Sequence, residues 1–238
     1  MDESKVGVVI GAGPGLGAAV AERFARGGYH MIVSSRRGDN CEAVARRIRE
    51  GGGRADAVAA DATDPAAVQA LFDQVLTGAG RPSVVVFNAG AFEPNRVTDI
   101  DPDDFERCWR VGCLGGFLVG QRAAQSMQAS GGGTIIFTGA TASLRGGAGF
   151  ANLAVGKFGL RALAQSMARE LAPENIHVAH VIIDGQILSE DRRHLQDERG
   201  PDALLDPAAI AEQYYQLHCQ HRSAWTHELD LRPWVEKF

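Results

Sequence analysis

The sequence predicts an α/β fold, a parallel sheet with helices on both faces. Short runs rich in Val, Ile and Phe alternate with longer stretches of helical periodicity. The short runs are apolar almost throughout instead of alternating, as strands covered on both faces must be. Size agrees with this: 238 residues, 45% hydrophobic and 22% charged, suffice for one large core, so residues 1–238 are expected to form a single domain.

Taken in order, the first strand is expected at residues 5–10 and runs through a glycine-rich turn into a helix from Gly15. Strands follow at 30–34, 55–59, 83–87, 133–138 and 177–183, separated by helices that start near Asn40, Pro65, Pro102 and Gly147. A last helix at 207–221 and a short strand within 225–231 close the chain. Three helix starts are chemically marked. Asp64-Pro65, Asp101-Pro102 and Asp206-Pro207 each set an N-cap acceptor before a proline at the first helical position. The glycine triplets at 51–53 and 131–133 read as turns from helix to strand.

Composition narrows the function. A net charge of −5 argues against a nucleic-acid surface, which needs clustered positive charge. No apolar run approaches the ~20 residues that span a bilayer, and Met1-Asp2-Glu3-Ser4-Lys5 lacks the basic and apolar parts of a secretory signal. The expected setting is cytoplasmic, with a small-molecule partner. Cys41, Cys108, Cys113 and Cys219 show neither paired spacing nor a metal pattern and read as reduced thiols. His218, Cys219, His221 and His227 likewise complete no recognisable metal spacing.

The chemistry begins after the first strand, in Gly11-Ala12-Gly13-Pro14-Gly15-Leu16-Gly17. Glycines in a strand-turn-helix let the backbone approach a pyrophosphate at the positive end of the helix, so the expected ligand is a dinucleotide. After the second strand comes Ser34-Ser35-Arg36-Arg37. A carboxylate there would accept from the ribose hydroxyls of NAD, whereas an arginine pairs with the 2′-phosphate of NADP. Ser35 and Arg36 therefore favour NADP, with NAD possible, against the plainer reading of a solvated arginine pair.

Further along stand Asp61-Ala62-Thr63-Asp64, Asn88-Ala89-Gly90 and Asn152-Leu153-Ala154-Val155-Gly156-Lys157. With the GxxxGxG spacing of Gly11, Gly15 and Gly17, these segments resemble, in order, the motifs of the short-chain dehydrogenases/reductases, from about residue 5 to 187. The resemblance implies a doubly wound, Rossmann-like parallel sheet with the cofactor across the carboxyl ends of the strands. It assigns cofactor contacts to Gly11, Gly13, Gly15, Leu16, Gly17, Ser35, Arg36, Asp61, Ala62, Asn88, Ala89, Gly90, Lys157, Gly185 and Ile187. Asn88 would also steady the central strands. Asp184-Gly185 stands where the family usually has a proline-glycine turn.

The catalytic pattern departs from the family. The resemblance places its proton-transferring tyrosine at Leu153, its substrate-orienting serine at Ala140 and its water-relay asparagine at Gly112; Lys157 alone remains. Thr138, Thr141, Ser143 or Asn152 are the nearby polar candidates for partial rescue. Positioned acid-base catalysis is worth ~10²–10⁴-fold, so ordinary ketone reduction should be severely impaired. Two readings stay open: an atypical NADP(H)-dependent oxidoreductase acting on an activated substrate, with Lys157 as its catalytic residue, and a non-catalytic nicotinamide-nucleotide-binding protein that serves as a cofactor-responsive partner or subunit. A methyltransferase with a similar glycine turn fits less well, given Asn88 and Lys157.

Residues 187–238 are expected to shape the substrate cleft and subunit contacts, with the polar stretch 187–200 as a mobile cover. Tyr214, Tyr215, Trp225 and Trp234 read as core or interface. The small residues along helix 147–171 suit close packing, and the resemblance implies a homodimer or homotetramer through it.

Overall fold

The structure, a computed structural model, describes residues 5–236; residues 1–4 of the expected leaderless start and the last two residues of the 187–238 segment lie outside them. Seven parallel strands form one sheet: β1 (Val6–Ile10), β2 (His30–Ser35), β3 (Arg54–Ala59), β4 (Pro82–Phe87), β5 (Gly133–Thr138), β6 (Ile176–Ile183) and β7 (Glu228–Leu231). Their order is β3-β2-β1-β4-β5-β6-β7. The winding reverses between β1 and β4, which opens a crevice at their carboxyl ends.

The central strands are buried along their whole length, β1 and β6 without exception. β3, at the edge, is mostly polar or small and partly exposed. One apolar layer sets Phe24, Met31 and Tyr214 against the sheet, and the other sets Phe72, Phe137 and Leu160 against the opposite face. At ~25 cal/mol per Å² of apolar surface, these two layers are the main source of stability.

The helices are α1 (Leu16–Arg26), α2 (Gly38–Glu50), α3 (Pro65–Gly78), α4 (Pro102–Trp109), α5 (Gly115–Gln128), α6 (Ala151–Leu171), α7 (Arg193–Arg199) and α8 (Pro207–His218). Asp64, Asp101 and Asp206 cap α3, α4 and α8 as expected, each accepting from the amide two residues on at 2.8–2.9 Å. No described helix is long and apolar enough to cross a membrane.

Four boundaries differ from the sequence reading. The helix expected from Gly147 begins at Ala151, because residues 144–150 form a loop with Gly149 at φ 80°. The helix from Pro102 is interrupted by a π turn, Arg110–Leu114, that divides α4 from α5. This turn lies where α6 approaches closely: a Cβ added at Gly112 would sit 3.7 Å from Gly156 Cα. The last helix stops at His218 rather than at 221, and the final strand begins at Glu228 rather than at 225. The polar stretch 187–200 contains the short helix α7, for which its sequence gave no apolar periodicity.

The aromatic expectations divide. Tyr214 is fully buried, Tyr215 lies under the Arg23 guanidinium at 3.5 Å, and Trp225 stacks on His177 at 4.8 Å. Trp234 is not core: it is 74% exposed, with its indole N–H donated to the Pro201 carbonyl at 3.1 Å. Among the described residues no group of three His, Cys, Asp or Glu could hold a metal. His218 is instead engaged by the Tyr29 hydroxyl at 2.6 Å and the Thr134 hydroxyl at 2.8 Å.

Candidate active site

Two cavities meet at the carboxyl ends of the central strands and share Asn88 and Gly90. The first, about 570 Å³, is bounded by the turn after β1, the Ser35–Arg36–Arg37 turn after β2 and Asp61 after β3. The second, about 740 Å³, lies over β5, β6 and the start of α6.

The glycine turn divides into two kinds of glycine. Gly11 has φ 88°, and a Cβ there would fall 2.6 Å from the Ala89 amide nitrogen. Gly17 is pressed against the turn: a Cβ would meet the Gly11 carbonyl oxygen at 2.3 Å, and neither Gly15 nor Gly17 lines either cavity. Gly13 and Gly15 face open space, with nothing within 4 Å of an added Cβ. Gly15 caps α1 without a side-chain acceptor, so the first N–H groups of that helix remain available to an anion. This cradle fits a dinucleotide pyrophosphate.

On the far side, Asp61 is held in a tight turn by the Thr63 amide and hydroxyl, both at 2.8 Å. The Ser35 hydroxyl donates to the Arg37 carbonyl at 2.8 Å. Arg36 is exposed, forms no ion pair among the described residues and borders the cavity; Arg37 and Asn40, which the sequence reading gave no role, line it as well. Between the cavities, the Asn88 side-chain amide donates to the Gly11 carbonyl at 3.1 Å and its main-chain N–H to Ile10 at 2.8 Å. Asn88 thus ties β4 to the glycine turn. Ala62 and Ala89 line the first cavity, and Leu16, Gly185 and Ile187 the second.

Lys157 reaches the second cavity from α6 and is only 6% exposed. Its ammonium donates to the Thr138 carbonyl at 2.7 Å. An added Cβ on Gly90 would be 3.8 Å from its Nζ, so Lys157 stands at the junction of the cavities. Burial pulls its pKa down to about 8, because the charged form loses hydration that one carbonyl does not restore.

Leu153 and Ala140 line the same cavity, whereas Gly112 does not and serves the contact with α6. The candidates for rescue are mostly committed elsewhere. Thr138 is buried against the Tyr214 hydroxyl at 2.9 Å, and Ser143 is fully buried, accepting from the Ala140 amide at 3.1 Å beside His180. Asn152 is not beside the gap as expected: it is buried and donates to the Glu93 carbonyl. Thr141 lines the cavity with Thr138, and its hydroxyl donates to Asp184 at 2.5 Å.

Behind this wall, His180 Nδ1 lies 3.3 Å from Glu228, which in turn holds Arg161 at 2.6 and 2.8 Å. Burial holds the His180 pKa down to about 4 despite that carboxylate, so the ring is neutral near pH 7. The sequence reading also missed Phe92, Phe150, Arg145 and Arg192 on the second cavity. They come from three separate loops and have no common spacing to reveal them.

The family model for the short chain dehydrogenases matches residues 5–199. Versicolorin reductase of Emericella nidulans is 36% identical over 146 residues, 60% of this chain but only 54% of that protein. The 7alpha-hydroxysteroid dehydrogenase of Escherichia coli is 30% identical over 79% of this chain and 73% of its own length. Among solved structures, a short-chain dehydrogenase from Rhodopseudomonas palustris is 40% identical with a TM-score of 0.84, covering 97% of this chain and 99% of that one. A metagenomic short-chain oxidoreductase in complex with NADP is 26% identical with a TM-score of 0.84, over 99% of this chain and all of that one. With its seven-stranded doubly wound sheet, glycine turn and Lys157, the chain belongs to the short-chain dehydrogenase/reductase family.

Proposed function

We propose that this protein is an NADP(H)-dependent oxidoreductase in which Lys157 is the one proton donor at the reacting centre and turnover is confined to substrates that are already activated. The observation that carries this reading is the placement of Lys157, a buried ammonium with pKa about 8 on a cavity wall where Leu153 and Ala140 stand in place of tyrosine and serine. When bound, NADPH supplies a hydride. The glycine turn and the start of α1 would hold its pyrophosphate, Arg36 its 2′-phosphate, and Lys157 the nicotinamide ribose.

Substrate charge then decides what the protein must add. An iminium carbon that accepts a hydride becomes a neutral amine and needs no proton, so the missing tyrosine costs little. A ketone also needs a proton on oxygen, and Lys157 is poorly suited to give it while bound to the Thr138 carbonyl. Leu153 offers a substrate carbonyl no hydrogen bond and so does nothing to polarise it.

The competing reading, a nucleotide-binding subunit without turnover, draws on the same replacements. Calorimetry with NADPH and NADH, followed by the loss of nicotinamide absorbance over a panel of ketones and cyclic imines, separates the two. Tight NADPH binding with turnover of imines is expected; binding with no turnover on any imine would favour the subunit, and no binding of either nucleotide would sink both readings.

Two further results follow from the site. Arg36→Ala is expected to weaken NADPH about 10–100-fold, the worth of a charge-assisted phosphate contact, and to leave NADH nearly unchanged. Equal losses for both nucleotides would remove Arg36 from the 2′-phosphate. For any substrate that needs a proton, kcat should be flat below pH 8 and fall above it, because the acid must be protonated and Lys157 titrates at about 8. An iminium substrate should not show that limb. The linked stability effect has the opposite sense: the folded pKa lies below the unfolded 10.5, so the buried charge disfavours folding below pH 8 and the penalty is relieved as pH rises towards 10.5.

We read the protein as a cytoplasmic homo-oligomer. Val155 and Phe158 on α6 and Phe117 on α5 are each more than 40% exposed, an apolar face suited to a second copy. Sedimentation velocity tests this, with a dimer or tetramer expected.

A further inference from the structure

The outer wall of the second cavity carries two features that the reacting centre does not explain. Phe92 and Phe150 are stacked, with ring centroids 4.7 Å apart and 28° between planes, yet they remain 38% and 41% exposed. Arg145 and Arg192 line the same cavity. The only side-chain bond of Arg192 among the described residues is to the Ile187 carbonyl at 3.2 Å, and Arg145 has none.

No aspartate or glutamate lines this cavity to offset the two guanidinium groups. Asp191, beside Arg192 in the chain, does not line the cavity, and three other carboxylates close by along the chain are already engaged. Asp184 accepts from Thr141 and lies 3.4 Å from Arg232, Glu93 pairs with Arg107 at 3.0 Å, and Glu190 with Arg193 at 3.1 Å. A guanidinium with no counter-charge on a concave wall attracts an anion, and its planar fork matches a carboxylate. A stacked aromatic pair that stays partly exposed suits a flat ring, since aromatic rings gain from offset stacking beyond the area they bury.

We propose that the cleft takes a planar aromatic carboxylate, its ring laid against Phe92 and Phe150 and its carboxylate held by Arg145 and Arg192. The cavity of about 740 Å³ accommodates a fused ring system beside a nicotinamide. The proposal rests on reading this cavity as the substrate side of the NADP(H) site, but the test separates the two. The NADP⁺ affinity of the parent and the variants is measured first, by calorimetry. 2-Naphthoate and its neutral counterpart 2-naphthamide are then titrated into the protein with and without NADP⁺.

Naphthoate is expected to bind at least about tenfold more tightly than naphthamide, as charge-assisted bonds imply. That preference should vanish in the Arg145→Gln/Arg192→Gln double variant, whose NADP⁺ affinity should be unchanged. Phe150→Ala should weaken both probes alike. Equal affinities, binding of neither probe, or a preference that survives the double variant would overturn the proposal. Loss of NADP⁺ affinity in that variant would also overturn it, by reassigning the arginines to the cofactor. Failure of NADP⁺ to bind the parent while naphthoate still binds through the arginines would instead overturn the oxidoreductase reading alone.

Discussion

Leu153→Tyr combined with Ala140→Ser is expected to raise NADPH-dependent ketone reduction by about 10²–10⁴-fold over the parent, the usual worth of positioned acid-base catalysis. The geometry for this gain is largely in place. Both positions line the second cavity with Lys157, and Leu153 precedes Lys157 by one helical turn on α6, so the two side chains share a face. A phenol at 153 would come under the field of the Lys157 ammonium, which favours its ionised form and lowers its pKa towards the working range. The serine would add a donor to the substrate oxygen. Initial rates on a ketone panel, with NADPH binding measured in parallel, decide the matter. Lys157→Met in the doubly substituted protein should abolish the gain. Unchanged rates with intact NADPH binding would show that more than these two side chains is missing, Gly112 being the first candidate.

Gly11→Ala should be the most damaging single substitution in the cofactor cradle. It combines φ 88° with a methyl placed 2.6 Å from the Ala89 nitrogen, and that neighbour is main chain anchored on β4, which cannot yield as a side-chain end could. Strain at a left-handed position and overpacking each cost about 1–3 kcal/mol, so a loss of roughly 2–6 kcal/mol in denaturant unfolding is expected. Gly13→Ala is the contrast. Nothing lies within 4 Å of its added Cβ, so stability should change by no more than about 0.5 kcal/mol, while NADPH affinity falls because the methyl projects into the space the pyrophosphate would use. If both substitutions acted through stability alone, the open side of the turn would not be a ligand cradle.

These two glycines mark how far the sequence could be read. The motif alone made Gly11, Gly13, Gly15 and Gly17 one group, since each lacks a side chain and the spacing fits a phosphate turn. Only the fold separates Gly11 and Gly17, pressed against main chain, from Gly13 and Gly15, whose Cβ positions are open. The same limit applies to the hydroxyls around Lys157. Thr138, Thr141, Ser143 and Asn152 were interchangeable as polar neighbours in sequence, but strand direction and burial commit Thr138 to Tyr214, Ser143 to the Ala140 amide and Asn152 to Glu93. Thr138 and Thr141 both line the cavity, and the Thr141 hydroxyl is bound to Asp184.

The sequence by itself determined a parallel sheet with helices on both faces and the order of the cofactor turns, because these follow from local signals: apolar strand runs, Asp-Pro caps and glycine spacing act within a few residues. Through the family resemblance it also set Leu153, Ala140 and Gly112 at the positions of the missing tyrosine, serine and asparagine, the reading on which the proposed function rests. Tertiary structure decided the acidity of Lys157, since its pKa is pulled down to about 8 by burial against the end of β5, which no neighbour in sequence supplies. It decided as well that Arg145, Arg192, Phe92 and Phe150 face one cavity. Their loops meet only because parallel strands deliver their carboxyl ends to the same edge of the sheet, and convergence of that kind leaves no period in the chain to be read.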